Sequence, residues 1–335
     1  MDPEMPIFVK SEPLFSVINL MELEIPKRLH QYQIAEELGR GTHGVVYQAI
    51  EPLYQRLVTV KLLTPDPEHP DEWRRRRCHS LKAARELNHV NICRLLDFAP
   101  FEDSLIAVYE HVDGHTLESE LAEGPISLDR FFDLAGQIAT GLGYAHENDV
   151  THGNLHPGNI MIAEDGVVKL LDFGLPRLRC RNAGIPPAGY PAEMLPYCSP
   201  EEIADDSVGN MADLFSTGVV FYRMLSGILP FSSPDPIQLE EMILHEDPDL
   251  KLLRSSGAPS EMILLLESLM SKRKKDRPAS ARELVITLQS IQQFEERFSN
   301  VADDGRRSAS PRTYLAMSAV FVVLLILWSL LAGRD

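Results

Sequence analysis

Thr151-His152-Gly153-Asn154-Leu155-His156-Pro157-Gly158-Asn159-Ile160, followed a short way on by Asp172-Phe173-Gly174, is the stretch on which the fold turns. The first segment places polar residues, glycine and proline between apolar runs and reads as a loop. Immediately before it, Leu128 to His146 carries apolar residues at helical spacing and predicts a long buried helix. Further back, Tyr32 to Leu38, Val45 to Ile50 and Leu57 to Leu63 are short β-rich runs separated by glycine or proline signals. A charged helix is expected over Glu72 to Leu87, then two more strand-like runs ending at Val108-Tyr109. Beyond the loop, Met211 to Leu225, Met262 to Met270 and Ala281 to Phe294 again show helical spacing. A strand-rich first third and a helix-rich remainder predict an α+β chain, a small sheet lobe joined to a larger helical lobe.

The loop resembles the catalytic loop of protein kinases, whose family pattern is H-R-D-L-K-P-x-N, and Asp172-Phe173-Gly174 matches that family's D-F-G. Other motifs follow in the family's order. Leu38-Gly39-Arg40-Gly41-Thr42-His43-Gly44-Val45-Val46 resembles the glycine-rich loop, and a strand rather than a helix follows it, which disfavours a dinucleotide-binding turn. Glycines suit such a lid because backbone without Cβ atoms can lie close over phosphates. Val58-Thr59-Val60-Lys61 stands where the family has V-A-I-K. The resemblance implies a bilobal kinase-like fold that binds ATP and magnesium, with nucleotide held by Gly39, Gly41, Gly44, Val46, Lys61, Glu110, Val112 and Met161. It implies Asn159 and Asp172 as the metal ligands and Tyr109 as the residue guarding the pocket behind the adenine. Ser199-Pro200-Glu201 stands for A-P-E, with Glu201 expected to pair with Arg277, and Asp213 resembles the aspartate that supports the catalytic loop through His152. The stretches around Asn159 and Asp172 look most like bacterial Ser/Thr kinases.

The departures from the family fall on the reaction itself. Asn154 occupies the catalytic aspartate's position, and an amide holds a hydroxyl but cannot take its proton; general base catalysis is worth about 10²–10⁴ in rate. His156 replaces the lysine that steadies the transferring phosphate, and an unperturbed imidazole is mostly neutral at neutral pH. The helix glutamate that pairs with the strand lysine falls at Ser80, with Glu86 as a misaligned substitute near the helix end. Gly153 replaces the arginine that reads a phosphorylated activation loop, Leu175 to Pro196 holds no Ser or Thr, only Tyr190, and Met194 stands where a threonine faces substrate. His152 and His156, four apart, sit in a loop and are not read as a metal pair. The resemblance therefore implies an ATP-binding pseudokinase acting through protein contacts. Two alternatives stand beside it: a weakly active or unconventional Ser/Thr kinase acting on protein hydroxyls, and a scaffold whose pocket excludes ATP through Ser80 and Tyr109.

Composition sets the outer bounds. The chain of 335 residues is 44% hydrophobic and 24% charged, a folded rather than disordered balance. Its net charge of −17 argues against nucleic acid as a partner. The basic runs Arg74 to Arg77 and Lys272 to Lys275 read as solvated surface. Cys78, Cys93, Cys180 and Cys198 lack a C-x-x-C pair and are expected to be free thiols in a reducing compartment. The acidic start, Met1-Asp2-Pro3-Glu4, does not resemble a secretory signal. The organisation read here is an extension over 1–30, the kinase-like domain over 31–295 and a polar linker over 296–313. The almost wholly apolar stretch 314–332 matches the roughly 20 residues that span a bilayer. A buried core helix is the alternative, weakened by the polar linker before the stretch and by only Gly333, Arg334 and Asp335 after it. Arg306, Arg307 and Arg312 on one flank against Arg334 on the other keep the kinase-like body cytoplasmic by the positive-inside rule. The expectation is a tail-anchored protein, in a bacterium at the inner membrane.

Overall fold

Alternation of buried and open positions builds the first lobe. In the computed structural model, which describes residues 26–41, 43–66, 69–176, 193–204, 208–255 and 257–305, Val58, Val60 and Leu63 of one strand are buried while Leu57, Thr59 and Lys61 are not. The strands are β1 (Arg28–Leu29), β2 (Tyr32–Gly41), β3 (Gly44–Glu51), β4 (Arg56–Leu63), β5 (Leu95–Phe101) and β6 (Ser104–Glu110). They form one sheet in the order β1-β2-β3-β4-β6-β5, antiparallel at every step. Its register sets Lys61 opposite Val46 on β3 and Ala107 on β6, so the lysine lies beside the glycine-rich turn. Tyr32, Tyr47, Val58, Val60, Ile106 and Val108 fill a small core of this lobe.

Between β4 and β5 the chain forms α1 (Pro70–Arg85), begun by a proline at its first turn with Asp71 and Glu72 favourably placed against the helix dipole. Its buried stripe is Trp73, Arg77, Leu81 and Ala84. One member of that stripe is charged, so the basic run is not wholly solvated surface: Arg77 is 3% exposed because four-residue spacing puts it on the face of Trp73 and Leu81.

The second lobe holds α2 (Leu117–Leu121), α3 (Leu128–Glu147), α4 (Pro200–Ile203), α5 (Asn210–Ser226), α6 (Pro236–His245), α7 (Lys251–Ser255), α8 (Ser260–Leu269) and α9 (Ala281–Gly305). Ser127 caps α3 by accepting from the Arg130 amide at 3.3 Å, and Phe131, Ala135, Ile138, Leu142 and Ala145 sink into the large core. α5 crosses α8 so closely that a Cβ on Gly218 would lie 2.8 Å from Leu269 Cβ. A short sheet of β7 (Gly114–Thr116), β8 (Ile160–Ala163) and β9 (Val168–Leu170) lies at the cleft end of this lobe. The expected Glu201–Arg277 pair forms: the guanidinium grips both carboxylate oxygens at 2.7 and 2.9 Å, with both residues buried.

Three boundaries differ from expectation. β1 falls inside the stretch read as an extension, held by Leu29, which is 1% exposed and pairs with Tyr32; two residues are too few to show a period. α9 runs to Gly305, past Phe294 and into the stretch read as linker, because Glu295, Glu296 and Arg297 are good helix formers with no proline or glycine to stop them. α6 was not expected; its apolar residues bury only Leu239 and Ile243. Lys272, in the second basic run, reaches back to the carbonyls of Met242 and Ile243 at the end of α6 and lies 4.0 Å over the Phe231 ring. The apolar stretch 314–332 lies outside the described residues; among the described residues no helix is long and apolar enough to cross a membrane.

Candidate functional site

The two lobes face each other across a cleft of about 660 Å³, lined by Gly39, Gly41, Val46 and Lys61 from above and by Met161, Asn159 and Asp172 from below. At its back run Tyr109, Glu110, His111 and Val112. A smaller chamber of about 150 Å³ adjoins it and adds Gly44, Asn154 and His156 to the shared residues Gly41, Val46, Lys61, Asn159 and Asp172. Every residue nominated from the sequence lines one of these two spaces.

The segment at the back of the cleft is held by its side chains. Lys169 Nζ and the Arg94 amide both donate to Glu110 Oε1, at 2.7 and 3.1 Å, while the Glu110 amide donates to the Arg94 carbonyl. His111 is fixed between Gln48 Nε2 at 3.2 Å and Thr59 Oγ1 at 3.1 Å. Tyr109 does not fill the cleft. Its hydroxyl, driven well above the usual phenol range by burial, donates to the Phe173 carbonyl at 3.2 Å. Its ring lines the back of the cleft, which keeps a volume of about 660 Å³.

Gly44 has φ +133, and a Cβ there would run into the Leu62 carbonyl, so only glycine closes this turn. Gly39 and Gly41 have open space where a Cβ would stand, which leaves room beneath the loop.

Lys61 pairs directly with the Asp172 carboxylate. No helix glutamate reaches it: Ser80 stands in α1 and Glu86 is exposed at the helix end. Asp172 itself is 4% exposed, with φ +66. Burial, the largest influence, pushes its carboxyl up, but Lys61, His43 and His152 together hold it below the usual carboxylate range. Facing it, Asn159 donates its side-chain amide to the Asn154 carbonyl at 2.9 Å, which leaves Asn159 Oδ1 as the atom that can ligate. One carboxylate and one amide oxygen suit magnesium, which keeps several waters and takes its remaining oxygens from phosphate. Among the described residues no group of three or more His, Cys, Asp or Glu could hold a metal ion.

The loop under the chamber is held in place by α5. Asp213, 1% exposed, accepts from the amides of His152 and Gly153 and from His146 Nε2, each at 2.8 Å. Support therefore passes through backbone amides rather than through the His152 imidazole, which instead accepts from the Asn154 amide at 3.2 Å. Burial pushes the Asp213 carboxyl up, yet the His146 bond, His152 and the Gly153 amide bring it below the usual range. Gly153 has φ +65, and a Cβ there would come within 2.9 Å of Pro176.

Asn154 is wholly buried at the proton-accepting position. Its Nδ2 lies 3.0 Å from Nε2 of His43, at the tip of the glycine-rich loop. Behind His43, Arg77 of α1 approaches its Nδ1 at 3.5 Å and donates to the Pro176 carbonyl at 2.7 Å. His43 and Arg77 are the site residues that sequence reading did not nominate. For Arg77 a signal existed in its spacing from Trp73 and Leu81; for His43 there was none, since loop-tip residues carry no period. His156 turns its Nδ1 to the Gly158 amide at 3.2 Å, so it does not project as the family's lysine would.

Comparison with known proteins matches this architecture. The profile of the Protein kinase domain family covers residues 32–287. The serine/threonine-protein kinase pkn3 of Myxococcus xanthus is 31% identical over 299 residues, 86% of this chain and 54% of that protein. PknB of Mycobacterium leprae is 27% identical over 264 residues, 77% of this chain and 42% of that one. The chain thus spans about half the length, or less, of these curated relatives. Among solved structures, the kinase domain of PknI from Mycobacterium tuberculosis superposes with TM-score 0.63 at 22% identity, covering 78% of this chain and 97% of that one, a likeness of fold. Rad53 residues 1–466 in complex with AMP-PNP gives TM-score 0.63 at 26% identity, over 76% of this chain and 64% of that one.

Proposed function

The chain belongs to the protein kinase domain family, and from that membership we propose that it is a pseudokinase: a nucleotide-binding member that works through protein contacts rather than phosphate transfer. The observation that carries this is Asn154, buried in an otherwise well-built loop, with its amide against His43 rather than presented as a base. The loop around it has not decayed, because Asp213 still holds both flanking amides. What has changed is the chemistry at one atom position.

The remaining residues have clear parts. The cleft in front of Tyr109 admits an adenine against Val46, Val112 and Met161, and the backbone near Glu110 and Val112 orients it. Lys61 faces the polyphosphate, and Asn159 with Asp172 would hold magnesium. Bound there, the metal supplies positive charge that neutralises the phosphates. Against transfer stand three features: no carboxylate at Asn154, no projecting lysine at His156, and a Lys61 engaged by Asp172 in place of a helix glutamate.

The apolar stretch 314–332 supports a membrane tether, with the arginines at 306, 307 and 312 keeping the kinase-like body on the cytoplasmic side. In a bacterium that tether would lie in the inner membrane.

Thermal unfolding of the protein with Mg-ATP, ATP alone or buffer tests the reading, beside Lys61→Met. A ligand at 100 times its dissociation constant adds about 2.7 kcal/mol to the native state, a shift of several degrees. The expected result is a magnesium-dependent shift lost in K61M, with no phosphate incorporation above a D172N control. A weakly active kinase is the second reading, favoured by the intact assembly of Lys61, Asn159 and Asp172. Incorporation that D172N abolishes would establish it instead.

A further inference from the structure

The chamber beside the cleft has a composition that the pseudokinase reading leaves unused. It shares Lys61, Asn159 and Asp172 with the cleft, so a ligand extended past Lys61 ends inside it. A carboxylate at position 154 would confront the end of a polyphosphate with like charge; the neutral Asn154 removes that repulsion and offers an N–H. His43 lies across from it at 3.0 Å, contributed by the glycine-rich loop. Arg77, contributed by α1, backs His43 at 3.5 Å. Desolvation lowers Arg77 to about 10, so it remains a cation at neutral pH even though 3% exposed. Its guanidinium meets the Pro176 carbonyl and the His43 imidazole. Among the described residues the acid in the chamber wall is Asp172, which Lys61 compensates. Three nitrogen-bearing groups from three separate elements therefore meet where the ligand's anionic end would lie.

We propose that His43, with Asn154 beside it and Arg77 behind it, makes this site a reader of the terminal phosphate, binding a nucleoside triphosphate in preference to the diphosphate. Resting on the nucleotide-binding reading above, it adds what the altered loop is for. With Nδ1 facing the Arg77 guanidinium, His43 carries its ring proton on Nε2, 3.0 Å from Asn154 Nδ2, so two N–H groups lie side by side at the chamber. A terminal phosphate is acceptor-only and doubly charged, so it accepts from His43 Nε2–H and Asn154 Nδ2–H together. That group brings the two N–H donors onto one acceptor through two charge-assisted hydrogen bonds. His43 acts here on binding, and no bond is made or broken.

The test is titration calorimetry on the full chain with magnesium, using ADP and a non-hydrolysable ATP analogue. The expected preference for the triphosphate is about tenfold or more, the worth of one charge-assisted hydrogen bond. His43→Ala should bring the two affinities within about twofold of each other. His43→Gln, which keeps an N–H donor, should retain part of the preference. Asn154→Asp should weaken the triphosphate selectively. Unfolding curves for each variant separate loss of the contact from loss of the fold. An unchanged ratio in H43A, or equal affinities in the parent, overturns the phosphate-reading role alone. Binding of neither nucleotide overturns the nucleotide-binding reading along with it.

Discussion

Asp213→Asn probes the link between α5 and the loop that carries Asn154. The carboxylate is 1% exposed and accepts three hydrogen bonds, each at 2.8 Å, from two backbone amides and one imidazole. Oδ2 takes two of them, from the His152 amide and His146 Nε2; Oδ1 takes the third, from Gly153. An asparagine keeps one acceptor oxygen. Whichever way the amide turns, its NH₂ faces at least one donor that has lost its acceptor. Hydrogen bonds to charged groups are worth about 1.5–3 kcal/mol each, and a stranded buried donor adds to the loss, so roughly 3–5 kcal/mol is expected. For a chain of this size that lowers the thermal midpoint by about 5 °C. Acid titration gives an independent sign. Because the folded carboxyl lies below its ordinary 3.8, its stabilising share is fully present above that value and is lost as pH falls through the lower folded value. The acid limb of the stability curve should therefore be shallower in D213N than in the parent. The assay is thermal and denaturant unfolding, followed by two probes because the lobes need not melt together. A loss under about 1 kcal/mol with an unaltered acid limb would refute the assignment of Asp213 as the loop's anchor.

Two further outcomes follow from buried cations. Arg277→Met strands Glu201 in the interior, where that guanidinium grips both its carboxylate oxygens; about 3–5 kcal/mol should be lost, while an R277M/E201M double variant, measured by the same unfolding, should recover part of it. Lys272 is lowered to about 8, chiefly by desolvation, against an ordinary 10.5. Between those values the unfolded chain binds more protons, so stability should rise with pH over that window, and Lys272→Met should remove this component in a pH series of unfolding midpoints.

Much of the architecture was legible before any coordinates. Strands β2 to β6 and helices α1, α3, α5 and α8 fall within a few residues of where periodicity put them, since each buries one face and that face repeats along the chain. The nominated nucleotide and metal residues line the cleft or the adjoining chamber because their positions are tied to short motifs whose backbone geometry is local, as at Gly44 with φ +133 and Asp172 with φ +66. The end of α9 and the strand β1 were missed for opposite reasons, a helix sustained by polar formers without an apolar cue and a strand too short to show alternation.

The chain by itself determined which groups are present: an amide where a base belongs, a lysine without its glutamate, an arginine spaced to join an apolar stripe. Tertiary structure decided who meets whom. Lys61 finds Asp172 and His43 finds Asn154 across 111 residues of sequence each, and Arg77 finds the Pro176 carbonyl across 99. Coulomb attraction is nearly indifferent among several candidate partners at the level of sequence. Packing the two lobes removes water from one arrangement, and desolvation then makes that single set of contacts the favourable one.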